Sequence, residues 1–293
     1  VERKEEMRNL KSLGLATLLA GSILLSATVA KADLLYGTGN SGQIFLIDTD
    51  NLSSFTTVTT FTAASFAPLG GGSVFLNSLA LDESTNSLYF RNNEGANNSG
   101  LFRYSLTTNT LSKVTNLSFD SFNASFFGGY YWTVDERTDT IYRVDVSTGQ
   151  GVAVDLGAPG GYTFGDIAIH QNSGALYGSA AKTSGGSGNS FFKANLTTAP
   201  SASGFTEYVG GGRQRLQIAF DKSQSFLFGQ NYETRDWYKI NTTNGTAIGG
   251  TLGKGQFQVT DLTSARLRIP EPGTVALLGI GLLAGIMARR RKA

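Results

Sequence analysis

A strand-and-turn unit recurs through the middle of this 293-residue chain. A repeat of about 48 residues restricts the available folds more than any composition value does. The unit is clearest at 44–51, 101–109, 141–149, 191–198 and 237–245. Each copy opens on two apolar or aromatic residues, alternates, and ends in a polar turn rich in Asn, Asp, Ser and Thr. The second residue is aromatic each time: Phe45, Phe102, Tyr142, Phe192 and Tyr238. Arg103, Arg143, Lys193 and Lys239 follow it in four of the five copies. Period-two alternation puts one face of a strand in a core and the other toward solvent or a neighbouring sheet.

Two further elements precede that strand. One is a short apolar segment ending in a polar residue, as in Ser78–Asp82, Asp166–His170 and Gln217–Asp221. The other is a partner strand a few residues later, around Leu88–Phe90, Leu176–Gly178 and Leu227–Gly229, after a link of turn-forming residues. Glycine clusters lead into the first element. The third repeat is less regular, with Phe119–Asn123 as its first strand and Tyr130–Val134 as its second. A four-stranded antiparallel unit repeated in this way resembles the blade of a β-propeller, and five copies imply five blades. Asp33–Gly37 reads as a second strand lacking a first, and Val259–Leu262 as a first strand lacking a successor. Pairing them closes the ring and removes open sheet edges. A stacked solenoid or a β-sandwich is the alternative architecture, because the period drifts and several loops are long.

The last 25 residues have a separate logic. Ile269-Pro270-Glu271-Pro272-Gly273 is followed by an uncharged run from 274 to 288 and then by Arg289-Arg290-Arg291-Lys292. The prolines fix φ and lack N–H groups, so the motif reads as an extended tether. As a helix the apolar run reaches roughly 22 Å at 1.5 Å per residue, short of the ~30 Å hydrocarbon core. The basic cluster holds its far end in the cytoplasm. This layout resembles the PEP-CTERM sorting signal of bacterial envelope proteins. The resemblance implies recognition of Pro270, Glu271 and Pro272 by a membrane transpeptidase, the exosortase, with Arg289 to Lys292 as the membrane stop. An ordinary C-terminal membrane tail is the alternative, and it leaves the prolines unexplained. At the other end, Arg8 and Lys11 precede an apolar stretch from Leu13 to Ala30, and Ala30-Lys31-Ala32 has the small-x-small pattern read by signal peptidase. The acid-rich 1–6 segment fits a signal peptide poorly, which points to synthesis starting at Met7 or at a non-standard Val1 codon. The expected organisation is a signal peptide at 1–32, a propeller-like body at 33–268 and a sorting signal at 269–293.

Charge looks different once the ends are set aside. The whole chain has 24 basic and 22 acidic residues. Removing five basic and three acidic residues in 1–32, and four basic and one acidic in 269–293, leaves 15 against 18. The body is mildly acidic and offers no field to gather nucleic acid. With no cysteine there is no disulfide framework to deduce.

Candidate chemistry is sparse. His170 is the one histidine, in the slot that Asp82 and Asp221 fill in sister repeats, so turn capping is favoured over catalysis. One histidine and no cysteine argue against a classical zinc site or a Cys/His nucleophile. No cofactor is expected, since none of the glycine runs has a phosphate-loop pattern. Asp82, Asp166, Asp221 and Asp261 fall on first-strand positions near the expected channel. Two such acids facing each other are what a secreted glycoside hydrolase needs, but repeat-imposed capping of turns and strand ends explains them better. Asp48 and Asp50 resemble the start of a calcium loop without its glycine or distal glutamate. Trp132, Trp237, Tyr130, Tyr131 and Tyr232 are candidates for stacking on sugar rings, although packing between blades is the preferred reading for most of them. Arg213 and Arg215, after a triglycine, are candidates for a channel mouth. The expected function is non-enzymatic: an exported cell-surface or extracellular-matrix protein binding or scaffolding exopolysaccharide. The alternatives are the hydrolase and a protein-binding hub. Expected partners are exosortase and signal peptidase during processing, the inner membrane before it, and then a polysaccharide or a surface protein.

Overall fold

The computed structural model describes residues 33–93, 99–135, 138, 140–156, 162–182, 189–196, 202–209 and 216–265. These form a five-bladed β-propeller, each blade a four-stranded antiparallel sheet. Blade 1 is built from β1 (Leu34–Thr38), β2 (Gln43–Asp48), β3 (Phe55–Thr60) and, as its innermost strand, β20 (Asp261–Ala265). Blade 2 contains β4 (Leu76–Asp82), β5 (Ser87–Asn93), β6 (Ser99–Ser105) and β7 (Thr110–Leu117). Blade 3 contains β8 (Ser121–Phe127), β9 (Tyr130–Asp135), β10 (Thr140–Asp145) and β11 (Gly151–Val154). Blade 4 runs from β12 (Tyr162–Ile169) through β13 (Ala175–Lys182) and β14 (Asn189–Leu196) to β15 (Ala202–Val209). Blade 5 runs from β16 (Leu216–Phe220) through β17 (Phe226–Asn231) and β18 (Asp236–Asn241) to β19 (Ala247–Lys254). A single helical turn, α1 (Ala63–Phe66), links blades 1 and 2.

Strand closure occurs as the chain ends suggested, shifted by two residues: β20 pairs with β1 from Leu34↔Ala265 to Thr38↔Asp261. Blade 1 is thus completed by the end of the body, which leaves no open edge on the innermost ring. The innermost strands β20, β4, β8, β12 and β16 contact one another in that order and back to β20. The irregular third repeat is a full blade whose first strand lies at Ser121–Phe127 rather than 119–123.

The aromatic marks of the repeat have a packing role. Phe45, Phe192 and Tyr238 on the third strands lie opposite Gly37, Gly178 and Gly229 on the second strands. The Phe192 ring fills the space above Gly178, where an added Cβ would stand 2.3 Å from its carbons. Blades 2 and 3 place Phe90 and Thr133 at the same position, opposite Phe102 and Tyr142. Five apolar clusters result, and each spans one junction between neighbouring blades. Burial is therefore between sheets, with no central apolar core, and the axis is left to polar groups.

Candidate functional site

The axis is organised by five equivalent positions. Ile167, Ile218 and Leu262 pair with Gly178, Gly229 and Gly37, and Ala124 pairs with Thr133. Leu79, just before the Ala80↔Tyr89 pair, is the blade 2 counterpart. One residue earlier on each innermost strand comes Ser78, Asn123, Asp166, Gln217 or Asp261. All five are buried, between 0% and 8% exposed. A ring of five different polar contributions therefore lies at one level of the channel, one from each blade.

Two carboxylates serve the whole ring. Asp261 Oδ2 accepts hydrogen bonds from the N–H groups of Leu79 and Ala124, and its Oδ1 accepts from Leu262 N–H at 2.7 Å. Asp166 Oδ1 accepts from Ile167 N–H at 2.7 Å, and its Oδ2 from Ile218 N–H. Every axial amide at this level is thereby satisfied by two side chains, which tie all five blades together across the axis. Unpaired, each such buried amide would cost about 1–3 kcal/mol. Burial pushes both carboxyls well above the usual range, and for Asp261 the adjacent Asp166 adds to it, against the pull of the amides. Both carboxyls are accordingly shifted toward their protonated forms, chiefly by desolvation. Ser78 is fixed differently: it has a positive φ of 56° in a bulge of β4. Its carbonyl accepts from Tyr131 Oη at 2.7 Å, and its Oγ accepts from Ser121 Oγ at 2.7 Å.

On one side of the ring the channel opens into a cavity of about 300 Å³. Its wall includes four aromatic residues, Phe75, Phe122, Phe164 and Tyr232. Between them stand the carboxamides of Asn77, Asn123 and Gln217, with Asp166 and Thr260 on the lining as well. The Phe122 ring is held from behind by the Arg91 guanidinium, 5.1 Å from its centroid. Arg91 is itself 1% exposed and donates to Asp120 and to the Ser121 carbonyl, both at 2.6 Å. Gln217 is 8% exposed, and its Oε1 is buried without a hydrogen-bond partner among the described residues. On the other side of the ring lies a space of only about 20 Å³, enough for about one water. The acid ring thus separates a ligand-sized well from a nearly filled lower channel.

The four first-strand acids divide into two kinds. Asp82 and Asp221 cap the turns at the far ends of β4 and β16. Asp82 accepts from Ser84 N–H at 3.0 Å and from Thr85 Oγ1 at 2.6 Å. Asp221 accepts from Phe226 N–H at 2.8 Å and from Ser223 Oγ. His170 occupies the same turn in blade 4, where its Nδ1 lies 3.0 Å from Ser173 Oγ. Asp48 likewise accepts from Asp50 N–H at 2.8 Å, a local turn rather than the beginning of an ion loop.

Both tryptophans depart from the stacking expectation. Trp132 and Trp237 are 2% and 1% exposed and belong to interblade clusters. Their rings are consumed by packing, and neither offers a face to a ligand. Tyr131 is fully buried, and Tyr130 is covered by Arg143 at 4.5 Å. Of the aromatics singled out from sequence, Tyr232 is the one on the well. Phe75, Phe122 and Phe164 were missed, because the glycine-rich and irregular lead-ins around them hid the starts of their strands. Arg213, Arg215, Ala30, Ala32, Pro270, Glu271, Pro272 and Arg289 to Lys292 lie outside the described residues, as does the apolar run 274–288. Among the described residues no helix is long and apolar enough to cross a membrane.

Comparison with known proteins agrees with this anatomy. The PEP-CTERM protein-sorting motif matches residues 268–292. The chain is thus a five-bladed propeller with a PEP-CTERM sorting motif after it in sequence. The motif implies export and processing by exosortase-type machinery, consistent with a membrane-anchored precursor. A search of curated proteins finds no match. Among solved structures, similarity extends to one titled as a nidogen/laminin complex, at 12% identity and TM-score 0.50, covering 80% of this chain and 98% of that one. TolB from Acinetobacter baumannii is similar at 15% identity and TM-score 0.50, with 76% of this chain and 51% of TolB covered. An auxiliary nutrient binding protein from Bacteroides thetaiotaomicron gives 11% identity and TM-score 0.50, with coverage of 77% and 55%. The chain spans about half the length of the last two. Such likenesses show the propeller fold and nothing about a ligand.

Proposed function

We propose that this protein is a non-enzymatic binding module of the extracellular polysaccharide layer, exported as an inner-membrane precursor and released to the cell surface or matrix after cleavage by exosortase. The observation that carries this reading is the well on the propeller axis, which combines four aromatic residues with three carboxamides. Aromatic rings offer flat apolar platforms for the C–H faces of sugars, and carboxamides both donate to and accept from sugar hydroxyls. Its volume of about 300 Å³ stands at the lower end of the usual ligand-pocket range of about 300–1,000 Å³.

A hydrolytic role fits less well. Glycosidase carboxyls stand about 5–5.5 Å apart in retaining enzymes and about 6.5–9.5 Å apart in inverting ones, with a sugar or water between them. The oxygens of Asp166 and Asp261 are instead occupied by five amides. Calorimetric titration of the secreted protein with its host's exopolysaccharide, with newly formed reducing ends assayed in the same mixture, tests the reading. Binding without new reducing ends is expected, and release of reducing ends would replace the module with an enzyme. For sorting, combined Pro270→Ala and Glu271→Ala substitution should leave the precursor in the membrane at full mass. Normal release of that variant would refute the processing route.

A further inference from the structure

We infer that the axial well binds the terminal residue of a polysaccharide chain or branch, and not an internal segment. This rests on the polysaccharide reading above and adds which part of the polymer is taken. The argument is one of shape. The well draws its lining from all five blades, through Phe75, Phe122, Gly165, Gln217 and Thr260 on or beside the five innermost strands. It is therefore centred on the axis and walled on every side. Its inner end is shut by the Asp166–Asp261 pair and the amides they hold, and beyond that only about 20 Å³ remains. Among the described residues, a sugar that enters far enough to meet Gln217 and Asp166 has no exit on the far side and no lateral groove at that depth, because the five innermost strands contact one another around the axis. Only a residue with one glycosidic attachment can occupy such a site.

A second observation marks the inner wall as a recognition surface. Gln217 is more than nine-tenths buried, and its Oε1 lacks a partner among the described residues. A buried carboxamide oxygen left unpaired is costly unless a ligand or solvent completes it. Its neighbours at the same level, Asp166 and Asp261, are committed to the amides, whereas the Gln217 acceptor is both buried and unfilled among the described residues. A terminal sugar hydroxyl seated on the inner wall would supply the missing donor after a small rotation of the carboxamide.

The test uses the full purified chain and the host's exopolysaccharide, intact and after partial acid hydrolysis. Terminal residues per gram are counted by methylation analysis. Binding capacity per gram, measured by calorimetry, is expected to rise in proportion to terminal residues. Gln217→Leu, of similar volume and without the unpaired oxygen, should weaken binding at least tenfold while leaving the urea unfolding midpoint unchanged or higher. Tyr232→Ala, on an exposed turn, provides a second variant with the same expected loss of affinity. Capacity that stays constant per gram across the hydrolysis series would overturn terminal recognition while leaving polysaccharide binding intact. Absence of binding to intact and hydrolysed polymer alike would remove both.

Discussion

The two ends of the innermost strands use the same residue type for opposite purposes. At the far turns, Asp82 and Asp221 each bond to residues within five positions in sequence. At the axial ring, Asp166 and Asp261 bond across blades, with Asp261 reaching Leu79, 182 residues away, and Ala124, 137 residues away. The turn acids are dictated by the repeat, because every blade has the same reversal to make. The axial acids are dictated by the ring. Five amides need acceptors, two carboxylates suffice, and so the remaining ring positions are released to Ser78, Asn123 and Gln217. Variation among equivalent positions is thus what allows one end of the channel to become a site.

Removing the shared acceptor should separate the two regions most sharply. Asp261→Leu strands the N–H groups of Leu79, Ala124 and Leu262, each worth about 1–3 kcal/mol when buried unpaired. A loss of at least about 3 kcal/mol in urea-derived stability is expected, possible only if ring closure survives. A loss near that of a turn variant would show that the axis contributes no more than an ordinary cap.

Asp166→Asn is expected to cost less, about 1–3 kcal/mol, because one carboxamide oxygen can serve one of the two amides but not both. Its pH dependence carries more information than its size. A carboxyl raised in the folded state binds a proton more tightly there than in the unfolded chain. Its contribution is complete below the unfolded value near 3.8 and fades as pH rises through the folded-state value. Wild-type stability should therefore carry a component that declines as pH rises from about 4. The Asn variant, with one titrating group fewer, should decline less steeply. Parallel stability curves for the two proteins from acid to neutral pH would sink the idea that burial raises the Asp166 carboxyl.

Much of this organisation can be read from the chain, and the unread part has a physical cause. The blades follow from the alternating segments led by Phe45, Phe102, Tyr142, Phe192 and Tyr238, whose aromatics stand at one register position of the third strands. Closure through 261–265 follows from two unmatched strands. The axial ring was visible only as the first letter of segments such as Ser78–Asp82, Asp166–His170 and Gln217–Asp221. Those first letters share a position and not a chemistry, and bulges in β4, β8 and β12 offset the register around them. A pattern search finds what repeats, whereas the ring is made of what differs. The tryptophans misled for the converse reason: large aromatic side chains attract attention as ligands' platforms, yet five sheet-to-sheet junctions need bulky residues first.

The smallest effects should come from the turns, and their additivity completes the comparison. Asp82→Ala removes acceptors for Ser84 and Thr85 in a part-buried turn, at a cost of about 1 kcal/mol. In a body of this size that corresponds to a drop of about 2–4 °C in Tm. Asp221→Ala should behave alike, and because the two turns share no partners their effects should add to within about 0.5 kcal/mol. Asp166 and Asp261 interact electrostatically within one buried ring, so Asp166→Asn and Asp261→Asn together should cost measurably less than the sum of the single changes. Calorimetric melting of both pairs of singles with their doubles measures this directly. Coupling between the turn variants, or strict additivity between the axial ones, would mean that the ring does not act as one unit.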